Sequence, residues 1–241
     1  VEKDTTAYVE NPVSLPYIDM TIDTARRFGV TIEHKNYTEY YIEGGQHYTP
    51  VEFHIEGDWS SAASMLVAGA VAGEVTVDNL NRLSLQADYA IIKALMLAGA
   101  EILSTENSVT VRRRELKAFE FDATNCPDLF PALAALAANC RGTSVIRGTS
   151  RLLHKESNRA LTIAEEYEKA GIEVDISQDD IMRIRGGQIR GCCVDSHGDH
   201  RIAMSMAVAA LTADSPITIR GAECVAKSYP SFFEDLAELI C

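Results

Sequence analysis

Residues 119–122, Phe-Glu-Phe-Asp, alternate apolar and polar with a period of two, which predicts a strand. Residues 128–140 are apolar on almost every side and predict a helix with no solvent face, stopped by Arg141-Gly142. A second strand is predicted over 143–146. Residues 155–170 follow with helical spacing. Ala160, Ile163, Ala164 and Tyr167 fall on one face, and Glu165, Glu166, Glu168 and Lys169 on the other. Gly171 suits the end of that helix. Residues 172–176 and 181–184 then read as a hairpin around Gln178-Asp179-Asp180. The unit is βαβαββ. Its first helix is of the buried kind and its second amphipathic, with one face for the protein and one for water.

The pattern recurs. Asp58, Asp128 and Asp199 each precede a long apolar run, at intervals of 70 and 71 residues. Gly29, Gly99 and Gly171 form a second ladder in step with the first. A fixed period of this kind means one supersecondary unit used several times. In the copy over 53–114, Ile91, Ala94, Leu95 and Ala98 give the outer helix its inner face. The predicted fold is α/β, with inner helices bundled together, sheets around them and outer helices facing water. Before Phe53 only the end of a unit is legible: a helix over 16–28 with Pro16 in its first turn, then strands near 30–33 and 40–43. Gly44 to Pro50 reads as the crossover between domains. The last copy, from about Ile189, has its two helices but no terminal hairpin. Together with a start at Val1 rather than Met, this reads as the C-terminal part of a longer, processed or truncated protein whose missing N-terminal half supplies the absent strands.

Composition narrows the function classes. Apolar content of 46% supports a real core. A net charge of −13 argues against general binding to nucleic acid or anionic membranes, while leaving room for a local cationic pocket. The runs 62–72 and 202–213 are too short to span a bilayer, and no signal peptide is visible. Cys126, Cys140, Cys192, Cys193, Cys224 and Cys241 show no CxxC pair and read as reduced thiols of a cytoplasmic protein. Adjacent Cys192 and Cys193 read as buried strand thiols on opposite faces.

Cationic and acid–base residues gather at three predicted helix starts: Arg151 to Arg159, Asp199-His200-Arg201, and Lys227-Ser228-Tyr229-Pro230. Helix N-termini with Lys and Arg beside them suit phosphate groups. Asp128 and Glu156 are then carboxylates near bound anions, suited to proton transfer if burial raises their pKa values. Taken singly, each residue has a plainer reading. The three aspartates are good helix caps, Glu156 and Arg159 a solvated ion pair, His200 a structural histidine and Lys227 a surface lysine. Asp195, His197, Asp199 and His200 come close to a zinc motif of metallohydrolases, but Asp stands where its first histidine belongs, and no metal site is expected.

Four stretches identify a family: Gly57-Asp58-Trp59-Ser60-Ser61-Ala62, His154-Lys155-Glu156-Ser157-Asn158-Arg159, Gly198-Asp199-His200-Arg201-Ile202-Ala203-Met204 and Ala226-Lys227-Ser228-Tyr229-Pro230. Pro127-Asp128 and Ser14 to Asp19 fall in order with them. Across essentially its whole length the chain resembles the 5-enolpyruvylshikimate-3-phosphate synthases of the shikimate pathway, the target of glyphosate. The resemblance implies two lobes of βαβαββ units, an inside-out α/β barrel. Residues 1–52 are then the end of the upper lobe and 53–241 the lower lobe. It implies transfer of the enolpyruvyl group of phosphoenolpyruvate to the 5-hydroxyl of shikimate 3-phosphate, with release of phosphate and no metal or organic cofactor. It assigns Asp128 and Glu156 to proton transfer, and Ser14, Tyr17, Asp128 and Lys155 to shikimate 3-phosphate. Arg159, His200, Arg201 and Lys227 are assigned to phosphoenolpyruvate. The family's other catalytic motifs are absent from this chain, which leaves half a site and predicts no turnover by the chain alone. Arg151 stands where some members carry Asn, so no role follows for it. The competing readings are the sister transferase acting on UDP-N-acetylglucosamine, a metallohydrolase, and a non-catalytic repeat module.

Overall fold

A computed structural model describes residues 1–239 and divides the chain into two compact units. The first unit comprises Val1–Glu56 with Leu83–Ala87, and the second Gly57–Arg82 with the chain from Asp88 onward.

In the first unit, β1 (Thr5–Tyr8) precedes α1 (Leu15–Arg27), β2 (Ile32–Lys35) and β3 (Glu39–Ile42). The sheet is antiparallel, in the order β1-β3-β2. Pro16 occupies the first turn of α1, where its missing N–H has no helical partner to lose. Asn36 and Tyr37, both at positive φ, turn β2 into β3. Strand β1, with its Thr-Thr-Ala-Tyr sequence, carries no apolar alternation and was not foreseen.

The second unit begins with α2 (Trp59–Ala72), β4 (Glu74–Asp78), α3 (Ile91–Ala98), β5 (Glu101–Ser104) and β6 (Ser108–Arg112). A full repeat follows: β7 (Glu120–Asp122), α4 (Phe130–Ala138), β8 (Thr143–Arg147), α5 (Arg159–Lys169), β9 (Glu173–Asp175) and β10 (Ile181–Arg185). The chain then continues through β11 (Cys193–Asp195), α6 (His200–Ala210), β12 (Thr218–Arg220) and α7 (Phe232–Glu238). The complete copy builds a four-stranded sheet, β7-β8-β10-β9, with β7 parallel to β8 and the other pairs antiparallel. The copy before it gives β4-β6-β5, the same sheet without a first strand, because residues 53–56 are irregular. The last gives the parallel pair β11-β12, equivalent to the first two strands.

Helices α2, α4 and α6 pack on one another at the centre, as their all-round apolar sequences require. Every residue of α4 is buried. Phe130, Leu133 and Leu136 are fully enclosed, each side chain contributing ~2 kcal/mol on removal from water. Small residues set the spacing. A Cβ at Gly69 of α2 would lie 2.8 Å from the Val111 carbonyl oxygen and 2.9 Å from the Val75 nitrogen, so helix and sheet meet backbone to backbone there. Helix α3 buries Ile91, Ala94, Leu95 and Ala98, the face predicted for it.

Three local expectations change. Helix α5 starts at Arg159, not 155, leaving Lys155 and Glu156 in the turn before it. Its buried face is rotated and carries Arg159, Thr162, Ile163, Glu166 and Tyr167, so Glu166 points inward, although it was placed on the solvent side. Cys192 is half-buried and Cys193 exposed, because only residue 193 belongs to β11, an edge strand in a two-stranded sheet. Cys126, Cys140 and Cys224 are also free thiols, and Cys241 lies outside the described residues. No helix among the described residues is long and apolar enough to cross a membrane.

Candidate active site

The three repeated aspartates have diverged in use. Asp58 caps α2, accepting from the Ser60 and Ser61 backbone N–H groups at 3.0 and 3.1 Å. Asp199 caps α6, accepting from the Arg201 N–H at 3.0 Å. Asp128 caps nothing. Pro127 opens a 3-10 turn (Pro127–Leu129) ahead of α4, so Asp128 sits inside the turn with its carboxylate free for other groups. Those groups come from its own copy of the repeat, Lys155 and Arg159, and from the last copy, Arg201.

Arg159, the first residue of α5, is the hub. Its side chain is 1% exposed and meets three carboxylates. Nε donates to Asp199 Oδ2 at 2.7 Å, and Nη2 to Asp199 Oδ1 at 3.3 Å. Nη1 donates to Asp128 Oδ1 at 2.5 Å, and Nη2 to Glu156 Oε2 at 2.6 Å. Burial disfavours the guanidinium charge, but Asp199 and Asp128 outweigh it and raise the pKa. Asp199 is wholly buried and also accepts from the Ser157 hydroxyl at 3.2 Å.

Three further cations surround Asp128 and Glu156. Lys155 Nζ lies 3.1 Å and Arg201 Nε 3.9 Å from Asp128 Oδ1. Lys227 donates to Glu156 Oε1 at 2.7 Å. Arg201 also reaches the Ser60 carbonyl oxygen at 3.5 Å. Lys227 ends a 3-10 segment (Ala222–Lys227), so it reaches the site from the end of a turn and not from a helix start as expected. These residues line an open cleft of about 540 Å³ together with His154, His200 and Ser228.

The electrostatics reverse one expectation. Burial does push Asp128 and Glu156 up, but the cations win. Arg201, Arg159 and Lys155 bring Asp128 to about 2. Hydrogen bonds from Lys227 and from its own backbone, with Arg159 nearby, bring Glu156 to about 2. Both are therefore ionised near neutral pH and able to accept a proton. His200 is 3% exposed, and its Nδ1 has no hydrogen-bond partner. Burial first, then the Arg201 charge, lower its pKa and keep the imidazole neutral.

The cleft is lined by Asp128, Lys155, Glu156, His200, Arg201 and Lys227, and buried Arg159 holds two of its carboxylates from within, so seven of the nine residues singled out come together. Ser14 and Tyr17 belong to the first unit, where Ser14 precedes α1 in a left-handed conformation and Tyr17 lies in its first turn. Arg151 sits in a separate 3-10 turn, Thr149–Leu152. The residues of the apparent zinc motif do not share one donor set, since His197 turns to Glu166 and Asp199 to Arg159. His154 and Ser228 were not singled out. Both lie inside the stretches that identified the family, and neither was given a role.

Fold and site together define a class: a repeated βαβαββ scaffold whose inner helices converge on a cationic cleft holding two ionised carboxylates. The model of one family, EPSP synthase (3-phosphoshikimate 1-carboxyvinyltransferase), matches residues 1–236. The chain belongs to that family. It is 40% identical over 229 residues to a 3-phosphoshikimate 1-carboxyvinyltransferase of Clostridium acetobutylicum, covering 95% of this chain and 53% of the relative. It is 42% identical over 233 residues to one of Thermococcus kodakarensis, covering 95% and 56%. Among solved structures, an EPSP synthase from Acinetobacter baumannii superposes with a TM-score of 0.83 at 28% identity, over 99% of this chain and 57% of that one. The enolpyruvyl transferase NikO from Streptomyces tendae shares the fold, with a TM-score of 0.72 at 19% identity over 99% and 56%. The chain spans about half the length of the curated relatives it matches.

Proposed function

We propose that this chain supplies the carboxylate-bearing part of the active site of a 3-phosphoshikimate 1-carboxyvinyltransferase. The whole protein would move the enolpyruvyl group of phosphoenolpyruvate to the 5-hydroxyl of shikimate 3-phosphate. The observation that carries the reading is the placement of Asp128 and Glu156, both ionised, among Lys155, Arg159, Arg201 and Lys227 in one cleft. That is the equipment for an addition and an elimination on doubly anionic substrates: cations to hold phosphate and carboxylate groups, and carboxylates to move protons.

In the addition, Asp128 takes the proton of the attacking hydroxyl while carbon 3 of the enol gains one from Glu156, which takes up a proton once the ligand anions draw Lys227 away from it. In the elimination, a proton leaves that carbon as the C–O bond to phosphate breaks, with Glu156 as the second carboxylate. Arg201 and Lys227 hold phosphoenolpyruvate, supported by neutral His200, and Lys155 holds shikimate 3-phosphate. Arg159 joins the phosphoenolpyruvate clamp by exchanging a protein carboxylate for the ligand's. Ser14 and Tyr17 are proposed contacts to the shikimate phosphate, with 1–52 and 53–241 as parts of two lobes. We assign no cofactor, and infer a cytoplasmic location from the free thiols.

The test is phosphate release from phosphoenolpyruvate and shikimate 3-phosphate, with this chain alone and mixed with a separately made N-terminal half of a family relative. Release by the mixture alone is expected. Asp128→Asn should slow it by about 10²–10⁴-fold. Silence in a mixture shown to be folded and associated would overturn the assignment. Turnover by the chain alone would overturn the need for a second half.

A further inference from the structure

Seven residues, two helical turns, separate Arg159 from Glu166, so both lie on the buried face of α5. Arg159 ties the start of that helix to Asp199. Glu166 ties its middle to the turn just before Asp199. Its Oε2 accepts from the Asp195 backbone N–H at 3.0 Å, and its Oε1 meets His197 Nε2 at 2.7 Å. Both oxygens also accept from Lys169 Nζ, at 2.8 and 2.7 Å. The carboxylate itself is 1% exposed.

The turn it holds is unusual. His197 and Gly198 take successive left-handed conformations, with φ of 53 and 69 degrees. Glycine adopts such a φ freely, but a residue with a side chain does so only where its surroundings fix it. The Asp195 side chain accepts from the His197 N–H at 2.7 Å, and the Ser196 hydroxyl from the Gly198 N–H at 3.2 Å. These local bonds shape the turn. The Ser196 hydroxyl and backbone N–H donate to the Gly221 and Arg220 carbonyl oxygens, each at 3.0 Å, which ties the turn to the end of β12. Glu166 is the side chain that joins it to α5. The next three residues are Asp199, His200 and Arg201, the cap and the two cleft residues of α6.

We propose that Glu166 is a positioning residue of the cleft: by gripping the Asp195–Gly198 turn from α5, it sets where His200 and Arg201 stand relative to Asp128. Burial of an acid on an outer helix fits this use, since a buried ion pair adds little net stability over an apolar pair. His197, Lys169 and the Asp195 N–H keep the carboxylate ionised against that burial. The consequence for ligand binding rests on the cleft being the anion site assigned above; the positional claim does not.

Glu166→Gln keeps the shape but turns an amide N–H toward donors on every side. His197→Gly removes one tether while accepting the left-handed φ, and it alters a side chain already partly in solvent. Both are compared with wild type and with Glu168→Gln, an exposed acid of the same helix. Two readouts at pH 7.5 decide the matter: the His200 imidazole resonances, and the affinity for inorganic phosphate. Glu166→Gln should shift the His200 resonances and weaken phosphate binding on the order of tenfold, with a smaller change in the same direction for His197→Gly, as for lost contacts that orient a binding group. Glu168→Gln should change neither. His200 resonances and phosphate affinity at wild-type values in the folded variants would overturn the proposal. If Glu166→Gln does not fold, His197→Gly decides alone by the same two readouts. If wild type fails to bind phosphate, the anion-site reading falls, and the His200 resonances still decide the positional claim.

Discussion

Asp199 and Arg159 face each other with almost no solvent between them and the core, and that fixes what each can tolerate. Replacing Arg159 with methionine leaves Asp199 buried without a cation and removes a shared donor from Asp128 and Glu156. Breaking a buried pair from one side typically costs about 3–5 kcal/mol, most of it from the stranded charge. Arg159→Met should lose stability of that order in urea unfolding, and Arg159→Met with Asp199→Asn less than the sum of the two single changes. A loss below about 1 kcal/mol for Arg159→Met would mean that Asp199 finds another partner or takes up a proton. The pH dependence at Asp128 has a definite sign. Its carboxyl is held at about 2, below the ordinary 3.8, so the ionised form is favoured by folding. The associated stability is complete above pH 4 and is lost as the pH falls toward 2. For this part-buried group, discounted for solvent, it amounts to ~1–2 kcal/mol. Asp128→Asn should flatten that part of the stability curve, as measured by unfolding at pH 5 and pH 2.5. Much of this cluster was legible in residue types and spacing. What the sequence could not display was the sign of the pKa shifts, which depends on how close Lys155, Arg159 and Arg201 come to Asp128, and Arg159 and Lys227 to Glu156.

At the scale of the element, hydrophobic periodicity worked where burial is simple. The inner helices are apolar on all sides because they touch other elements on all sides, and α3 buries its predicted face. Reading failed in α5, where the inward face includes Arg159, neutralised by Asp128 and Asp199 from distant parts of the chain, and Glu166, held by Lys169 and by hydrogen bonds to Asp195 and His197. Apolar periodicity is blind to such pairs, so it rotated the face and started the helix one turn early. It also missed β1, which pairs along β3 through its backbone and has few apolar side chains to announce it. Gly69 supplies the test at this scale. In an isolated helix, Gly→Ala is favourable by ~1 kcal/mol. Here the added methyl group meets two backbone atoms of β4 and β6 that cannot swing aside. Overpacking of this kind costs ~1–3 kcal/mol. Gly69→Ala should therefore be less stable than wild type in urea unfolding, against the propensity trend. Equal or greater stability would mean that α2 can lift off the sheet without loss.

For the whole second unit, the repeat explains why the chemistry lies where it does. Three inner helices packed side by side bring their starts together, and each start could hold an aspartate at the cap. Two do so, and the third, displaced by Pro127, offers its carboxylate to the cleft. The cleft cations are engaged by the protein's own acids: Lys155 and Arg201 by Asp128, and Lys227 by Glu156. An anionic ligand has to share or take those cations. As it does, the force that holds both carboxyls near 2 weakens, and burial pushes their pKa values up. Anion binding is then coupled to proton uptake, by up to one proton per carboxylate. Sulfate is a suitable probe because its own charge is constant between pH 4 and pH 8. Calorimetric titrations in buffers of different ionisation enthalpy should show net proton uptake on sulfate binding at pH 5, and affinity should rise as the pH falls from 8 to 5. The diagnostic comparison is with Asp128→Asn and Glu156→Gln. Each should bind sulfate more tightly at pH 8, because a competing anion has been removed, and each should take up fewer protons at pH 5. Sulfate binding with no proton uptake, and equal pH dependence in all three proteins, would mean that the cations hold ligand and carboxylates together. Glu156 would then stay too acidic in the complex to supply the proton that carbon 3 gains in the addition.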